Sequence, residues 1–209
     1  MKRLFFSLSL FLITFHLLAA SQDSFVEGVH YQPVFPEVPT DVSQGKIEVV
    51  ELFWYGCPHC YDIEPYIKNW LQTKPESVEF MRLPATLNPG WINHAKTYFA
   101  LELIDELDRM HSLMFLAIHE QGRRLKDLNA ILGFLTQQGV DKDRFLNAYE
   151  SLEVQTRLRR AGWLNQQYGA TGVPAIVVNG KYLTSASMAG GPENLFKVVD
   201  LLIKKELGS

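Results

Sequence analysis

Cys57-Pro58-His59-Cys60 holds the only two cysteines of the 209-residue chain. They directly follow an apolar, β-branched run, Ile47–Trp54, and precede a helical pattern. Three residues apart on a first helical turn, two sulfurs come close enough to bond. Cys57 falls at or near the N-cap, where unpaired backbone N–H groups and the positive end of the helix dipole favour a thiolate. Cys60 lies one turn in, where access is poorer. That asymmetry makes Cys57 the attacking or attacked sulfur and Cys60 the one that resolves a mixed disulfide. His59 adds a donor, and a positive charge when protonated, which also favours the Cys57 thiolate. A structural Cys57–Cys60 bridge would close a very small loop, where the entropic gain is least. Half a zinc site, with His59 and a distant His94 or His111, lacks a second cysteine pair. Covalent haem attachment needs histidine after the second cysteine, and Tyr61 stands there. Thiol–disulfide exchange is the preferred chemistry, with no metal and no cofactor expected.

Two more features bear on this chemistry. Strand side chains alternate, so Glu51 shares a face with Ile47, Val49 and Phe53. A carboxylate among apolar neighbours is costly unless paired, and its pKa should rise. Six residues before Cys57, a carboxyl of that kind can exchange a proton with Cys60. The competing reading places Glu51 at a solvated gap in the sheet. In Thr171-Gly172-Val173-Pro174, proline removes a backbone donor at the start of a strand, leaving an edge able to meet an extended peptide. His94, His111 and His119 read as surface or insertion-packing residues.

The elements that must position these residues follow from pattern. Residues 22–45 carry Pro33, Pro36, Pro39 and Gly45 and read as an arm with a short strand near His30–Val34. Ile47–Trp54 reads as a buried central strand. Pro58 suits the first position of a helix whose apolar residues are Ile63, Tyr66, Ile67, Trp70 and Leu71, and Pro65 should kink it. Val78–Leu83 reads as a second strand. Residues 88–168 read as helical throughout, with Asp141 as an N-cap. Ala175–Val178 and Lys181–Thr184 flank Asn179-Gly180, a strong hairpin signal. Pro192 opens a last amphipathic helix. The expected class is α/β with a large all-helical insertion: residues 22–86 and 159–209 form the discontinuous α/β domain and 87–158 the insertion.

Composition narrows function further. Hydrophobic residues make up 47% and charged residues 21%, a globular mix. With 20 basic and 23 acidic residues there is no basic surplus to neutralise phosphates, so no nucleic-acid partner is expected. Lys2 and Arg3 precede an apolar stretch, Leu4–Leu18, then Ala19, Ala20 and Ser21, the pattern of a cleaved export signal over residues 1–20. Its removal near Ala20 or Ser21 leaves 18 basic and 23 acidic residues, or −5. An exported, oxidising compartment is expected for the product, with nothing that demands a dimer and a monomer expected.

These motifs together resemble the DsbA family of bacterial periplasmic thiol–disulfide oxidoreductases in the thioredoxin superfamily. The resemblance rests on Val49-Val50-Glu51-Leu52-Phe53, Cys57-Pro58-His59-Cys60-Tyr61, Gly172-Val173-Pro174 and Val178-Asn179-Gly180-Lys181-Tyr182. It covers nearly the whole chain. The segment Leu83–Trp91 departs from the family pattern, which leaves the start of the insertion open. The resemblance implies a thioredoxin fold interrupted by a helical domain. It implies that Cys57 is the exposed nucleophile, that Pro58 and His59 tune it, and that Glu51 is the buried acid near Cys60. It implies that Pro174 is cis and faces the cysteines, with the Val173 backbone aligning substrate. The implied reaction is donation of the Cys57–Cys60 disulfide to reduced, unfolded exported proteins. Reoxidation would come from a DsbB-like inner-membrane oxidase that uses quinone.

Overall fold

The computed structural model describes residues 25–208; the expected export signal lies outside the described residues. Five strands form one mixed sheet in the order β1-β5-β4-β2-β3. They are β1 (Gln32–Pro33), β2 (Ile47–Phe53), β3 (Val78–Pro84), β4 (Ala175–Val178) and β5 (Tyr182–Thr184). All seven residues of β2 are buried, as a continuous apolar run implies for a central strand. β2 runs parallel to β3 and antiparallel to β4. Helix α1 (Pro58–Leu71) makes the crossover between β2 and β3.

Between β3 and β4 come a 3-10 turn at Pro89–Trp91 and five helices. These are α2 (Ile92–Leu103), α3 (Leu107–His119), α4 (Leu128–Gln137), α5 (Lys142–Tyr149) and α6 (Leu152–Gln167). The short α7 (Ala186–Ala189) and the terminal α8 (Pro192–Leu207) complete the chain. The α/β class with a helical insertion stands. Asp127, Asp141 and Ser151 cap α4, α5 and α6 by accepting from backbone N–H groups three residues on.

Two apolar cores flank the sheet. In one, Ile63, Ile67 and Trp70 of α1 meet Leu195, Val198, Val199 and Leu202 of α8 over Val49, Ile176 and Val178. In the other, Leu52, Val177 and Leu183 join Leu101, Met110, Phe115, Ile131, Leu135 and Phe145 of the insertion. The expected helical stretch is interrupted: residues 120–127 leave the helical path, although Leu125 is buried. Its carbonyl meets His94 Nε2 at 2.5 Å, an interaction a helical backbone at that position would use internally. Pro65 sits inside α1, which runs on from Pro58 to Leu71. The first strand shrinks to two residues. The expected border at 158/159 falls within α6.

The hairpin forms where Asn179-Gly180 predicts it. Both residues have positive φ, 53° and 65°. A Cβ on Gly180 would lie 1.9 Å from the Val38 carbonyl oxygen, so the turn requires glycine there for space as well as conformation.

Candidate active site

β2 delivers the chain to the cysteines through Trp54-Tyr55-Gly56. Cys57 is the N-cap of α1, in extended conformation, and Pro58 is its first helical residue. The Cys57 N–H donates to Trp54 O at 2.9 Å, which closes the turn. Trp54 stacks on Trp91 with ring centroids 4.6 Å apart. A Cβ on Gly56 would come 2.3 Å from the Trp54 ring, so glycine is what lets this indole fold back beside the cysteines. Cys60 is wholly buried and Cys57 is 7% exposed; Cys57 is the more accessible, though far from openly displayed.

The Cys57 thiol donates to Val173 O at 3.4 Å. The Val173–Pro174 bond is cis. That carbonyl precedes β4, which lies between β5 and β2. β4 itself is paired on both sides, and the backbone beside Cys57 is the segment 171–174 at its start, where Pro174 lies outside both ladders. A cleft of about 680 Å³ opens at this point, lined by His59, Asp62, Thr171, Val173, Met188 and Pro192 among others.

The two cysteines have opposite proton affinities. Cys57 is pulled down to about 6, by a hydrogen bond from Cys60 above all, then by the backbone N–H groups of Cys60 and His59, against an opposing contribution from burial. The positive charge of His59 adds a smaller share. His59 itself is 80% exposed and its Nδ1 lies 3.5 Å from Asp62, so solvent and a carboxylate both weaken its influence. Cys60 is driven strongly upward, by burial first and then by the adjoining Cys57.

Glu51 is wholly buried, which excludes a solvated gap in the sheet. Burial pushes its carboxyl up to about 8 against the pull of Arg82. The parallel register sets Glu51 beside Arg82, whose Nε donates to Glu51 Oε2 at 2.9 Å. Glu51 Oε1 has no hydrogen-bond partner within the protein. Arg82 Nη2 also donates to both oxygens of Glu64, at 3.2 and 3.1 Å. Burial disfavours charge on Glu64, but His111 and Arg82 outweigh it and hold this carboxyl below its ordinary value.

A match to the DSBA-like thioredoxin domain family covers residues 48–202. The chain belongs to that family. It is 41% identical over 207 residues to the Thiol:disulfide interchange protein DsbA of Pseudomonas aeruginosa, covering 99% of this chain and 97% of that one. The protein of the same name from Azotobacter vinelandii is 45% identical over 175 residues, 82% of each chain. The crystal structure of Pseudomonas aeruginosa DsbA superposes with a TM-score of 0.84, covering 90% of this chain and 97% of that one at 41% identity. This DsbA-family chain is a thiol:disulfide oxidoreductase.

Several parts of the site escape a motif-based reading of a DsbA-family sequence. Arg82, Glu64, Tyr55 and His111 join Glu51 in one hydrogen-bonded network, with Glu51, Tyr55 and His111 buried and Arg82 and Glu64 partly exposed. A signal existed for Arg82: aligning the starts of the two parallel strands, Ile47 with Val78, sets position 51 beside 82. Nothing in the sequence marks His111. It is buried, as is His94, while His119 Nε2 donates to Tyr55 O at 2.8 Å and its ring stacks on Tyr61. His94 and His111 pack inside the protein and His119 is partly exposed; His111 and His119 reach from the insertion to the cysteine turn. Among the described residues no group of three or more side chains is arranged to hold a metal ion.

Proposed function

We propose that this chain is the oxidant in thiol–disulfide exchange with exported proteins. A substrate thiolate attacks Cys57 Sγ of the Cys57–Cys60 disulfide. The S–S bond breaks, a substrate–Cys57 disulfide forms, and Cys60 leaves as a thiolate that takes a proton from Glu51. A second substrate thiolate then attacks the substrate sulfur of the mixed disulfide, and Cys57 leaves as a thiolate. The substrate loses two electrons in forming its disulfide, and the cysteine pair gains them. A DsbB-like inner-membrane oxidase linked to quinone takes those electrons away and restores the disulfide.

The observation that carries this reading is the split between the two thiols. A Cys57 thiolate formed near pH 6 stabilises the reduced pair, and stabilising the reduced form makes the disulfide a better oxidant. The high proton affinity of Cys60 calls for a proton on its departure, and Glu51 is a buried carboxyl that retains one near neutral pH. Val173 and Pro174 border the cleft beside Cys57, placed to align an extended substrate backbone. Pro58 fixes the helix start that presents the backbone N–H groups to Cys57. The export pattern over residues 1–20 supports a periplasmic location, with cleavage near Ala20 or Ser21; the product is read as a monomer because nothing in the sequence demands a dimer.

Equilibration with defined glutathione mixtures tests the direction. A pair that stays reduced in quite oxidising mixtures supports the reading; one that stays oxidised when reduced glutathione dominates points to a reductase or a structural bridge. Cys57→Ala should abolish oxidation of a reduced substrate, and Cys60→Ala should accumulate mixed disulfides. Full activity in Cys57→Ala would overturn the mechanism.

A further inference from the structure

His111 is a side chain by which the helical insertion hydrogen-bonds both flanks of the cysteine turn. It lies on α3. Its Nδ1 is 2.9 Å from the hydroxyl of Tyr55, two residues before Cys57. Its Nε2 is 3.3 Å from Oε1 of Glu64, four residues after Cys60. Glu64 is a carboxylate and can only accept, so Nε2 carries the proton and donates. Nδ1 then accepts from the Tyr55 hydroxyl, whose phenol burial keeps protonated.

The groups around His111 can be followed element by element. α1 supplies Glu64, β3 supplies Arg82, the turn after β2 supplies Tyr55, α2 supplies Tyr98, and α3 itself supplies Asp108. Phe53 and Phe115 close the rest with their rings 5.3 Å from the imidazole. Burial favours the neutral imidazole more than these carboxylates favour the charged one. The cluster therefore contains one fixed cation, Arg82, between two carboxyl groups, Glu64 and Glu51. One proton makes the cluster neutral, and the deeper burial of Glu51 together with the hydrogen bonds to Glu64 decides which carboxyl holds it.

Glu64 receives a donor from His111 in addition to two contacts from Arg82. Glu51 receives one contact from Arg82 and has an unpartnered oxygen. Hydrogen bonds to a carboxylate favour its charged form. We propose that His111 is a positioning residue for the exchange reaction: held by Tyr55 as a neutral Nε2–H donor, it keeps Glu64 ionised and so places the shared proton on Glu51, where Cys60 can take it. The proposal rests on the reading of Glu51 as the acid for Cys60. It gives the insertion a chemical part in the site in addition to packing.

The test is carboxyl-carbon NMR titration of Glu51 and Glu64 in the oxidised protein, where neither cysteine titrates. His111→Phe keeps an aromatic ring and removes the donor. It should narrow the gap between the two carboxyl midpoints by about one pH unit or more, Glu64 rising and Glu51 falling. His111→Gln keeps a neutral donor and should restore the gap. A folded His111→Phe with an unchanged gap overturns the proposal, as does a His111→Gln that behaves like Phe. Should His111→Phe fail to fold, Tyr55→Phe decides: it removes one hydroxyl, frees the imidazole to turn, and should narrow the gap; an unchanged gap refutes the proposal. The pH profile of exchange in Glu51→Gln separates the two ideas. An unaltered profile there defeats the reading of Glu51, whereas an altered one with immobile carboxyl midpoints defeats only the role of His111.

Discussion

Replacing Glu51 by glutamine should leave stability nearly unchanged at low pH and raise it increasingly as pH rises. The folded carboxyl holds its proton up to about pH 8, against an ordinary value of 4.5, because it is buried and Arg82 only partly compensates. Between those values the folded state binds more protons than the unfolded state, so the stability of the native protein falls as pH rises. The loss is absent below about 4.5 and complete above about 8. Each pH unit is worth about 1.4 kcal/mol, so the full loss is on the order of 4–5 kcal/mol. Glutamine never ionises and escapes it. Its oxygen can still accept from Arg82 Nε, and its amide N–H group takes the place of the O–H that the protonated carboxyl already carries at the unpartnered Oε1, so the two side chains differ little where Glu51 is neutral. Glu51→Gln should therefore lie within about 1 kcal/mol of the parent at pH 5 and be about 3–5 kcal/mol more stable at pH 8.5. Urea unfolding of both proteins, oxidised, at several pH values measures the difference. Oxidation removes the minor influence of the Cys57 thiolate and leaves burial, Arg82 and Glu64 in place. A stability difference that is flat from pH 5 to 8.5 would refute the reasoning.

Other outcomes follow from the same geometry. The thiolate absorbance of the reduced protein should titrate with a midpoint near 6; the advantage of the reduced form is then fully present above the ordinary cysteine value and is lost as pH falls through about 6. His59→Ala should raise that midpoint by less than Cys60→Ala does, because the Cys60 hydrogen bond is the largest influence on Cys57 and His59 is mostly exposed; equal shifts would contradict this. Gly56→Ala should lower stability by about 1–3 kcal/mol and alter the near-ultraviolet circular dichroism, since the new methyl displaces Trp54 from Trp91. Gly180→Ala should cost at least about 2 kcal/mol in urea unfolding, because backbone rather than a flexible side chain blocks the methyl.

Much of the site is legible because it is local. The strand, the turn, Pro58 and the two cysteines occupy fourteen consecutive positions, Ile47 to Cys60, and each choice is dictated by short-range rules: a continuous apolar run, a helix start, a thiol on an N-cap. The Asn179-Gly180 hairpin is local in the same sense. The apolar setting of Glu51 is a period-two statement, and the structure agrees in burying it. Legibility ends where partners come from a distance. A proline at the start of a strand reads as an edge, but whether β4 has neighbours on both sides depends on where β5 and β2 lie in the sheet. Residues 120–127 follow a helix-compatible composition yet run irregularly between α3 and α4.

By itself, then, the sequence determines that a pair of thiols of unequal character stands at a helix start after a buried strand, with a carboxyl inside the sheet. Only the tertiary structure decides the proton affinity of the carboxyl and the distant partner of the Cys57 thiol, whose own lowering comes mostly from Cys60 and the backbone of its helix start. Cys57 acquires Val173 from 116 residues away, Glu51 acquires Arg82 from a neighbouring strand, and Glu64 acquires His111 from the insertion. The reason is physical. Backbone dihedrals and apolar periodicity are set by neighbours in the chain, whereas the free energy of a buried charge is set by whatever dipoles and counter-charges the completed fold brings within a few ångströms.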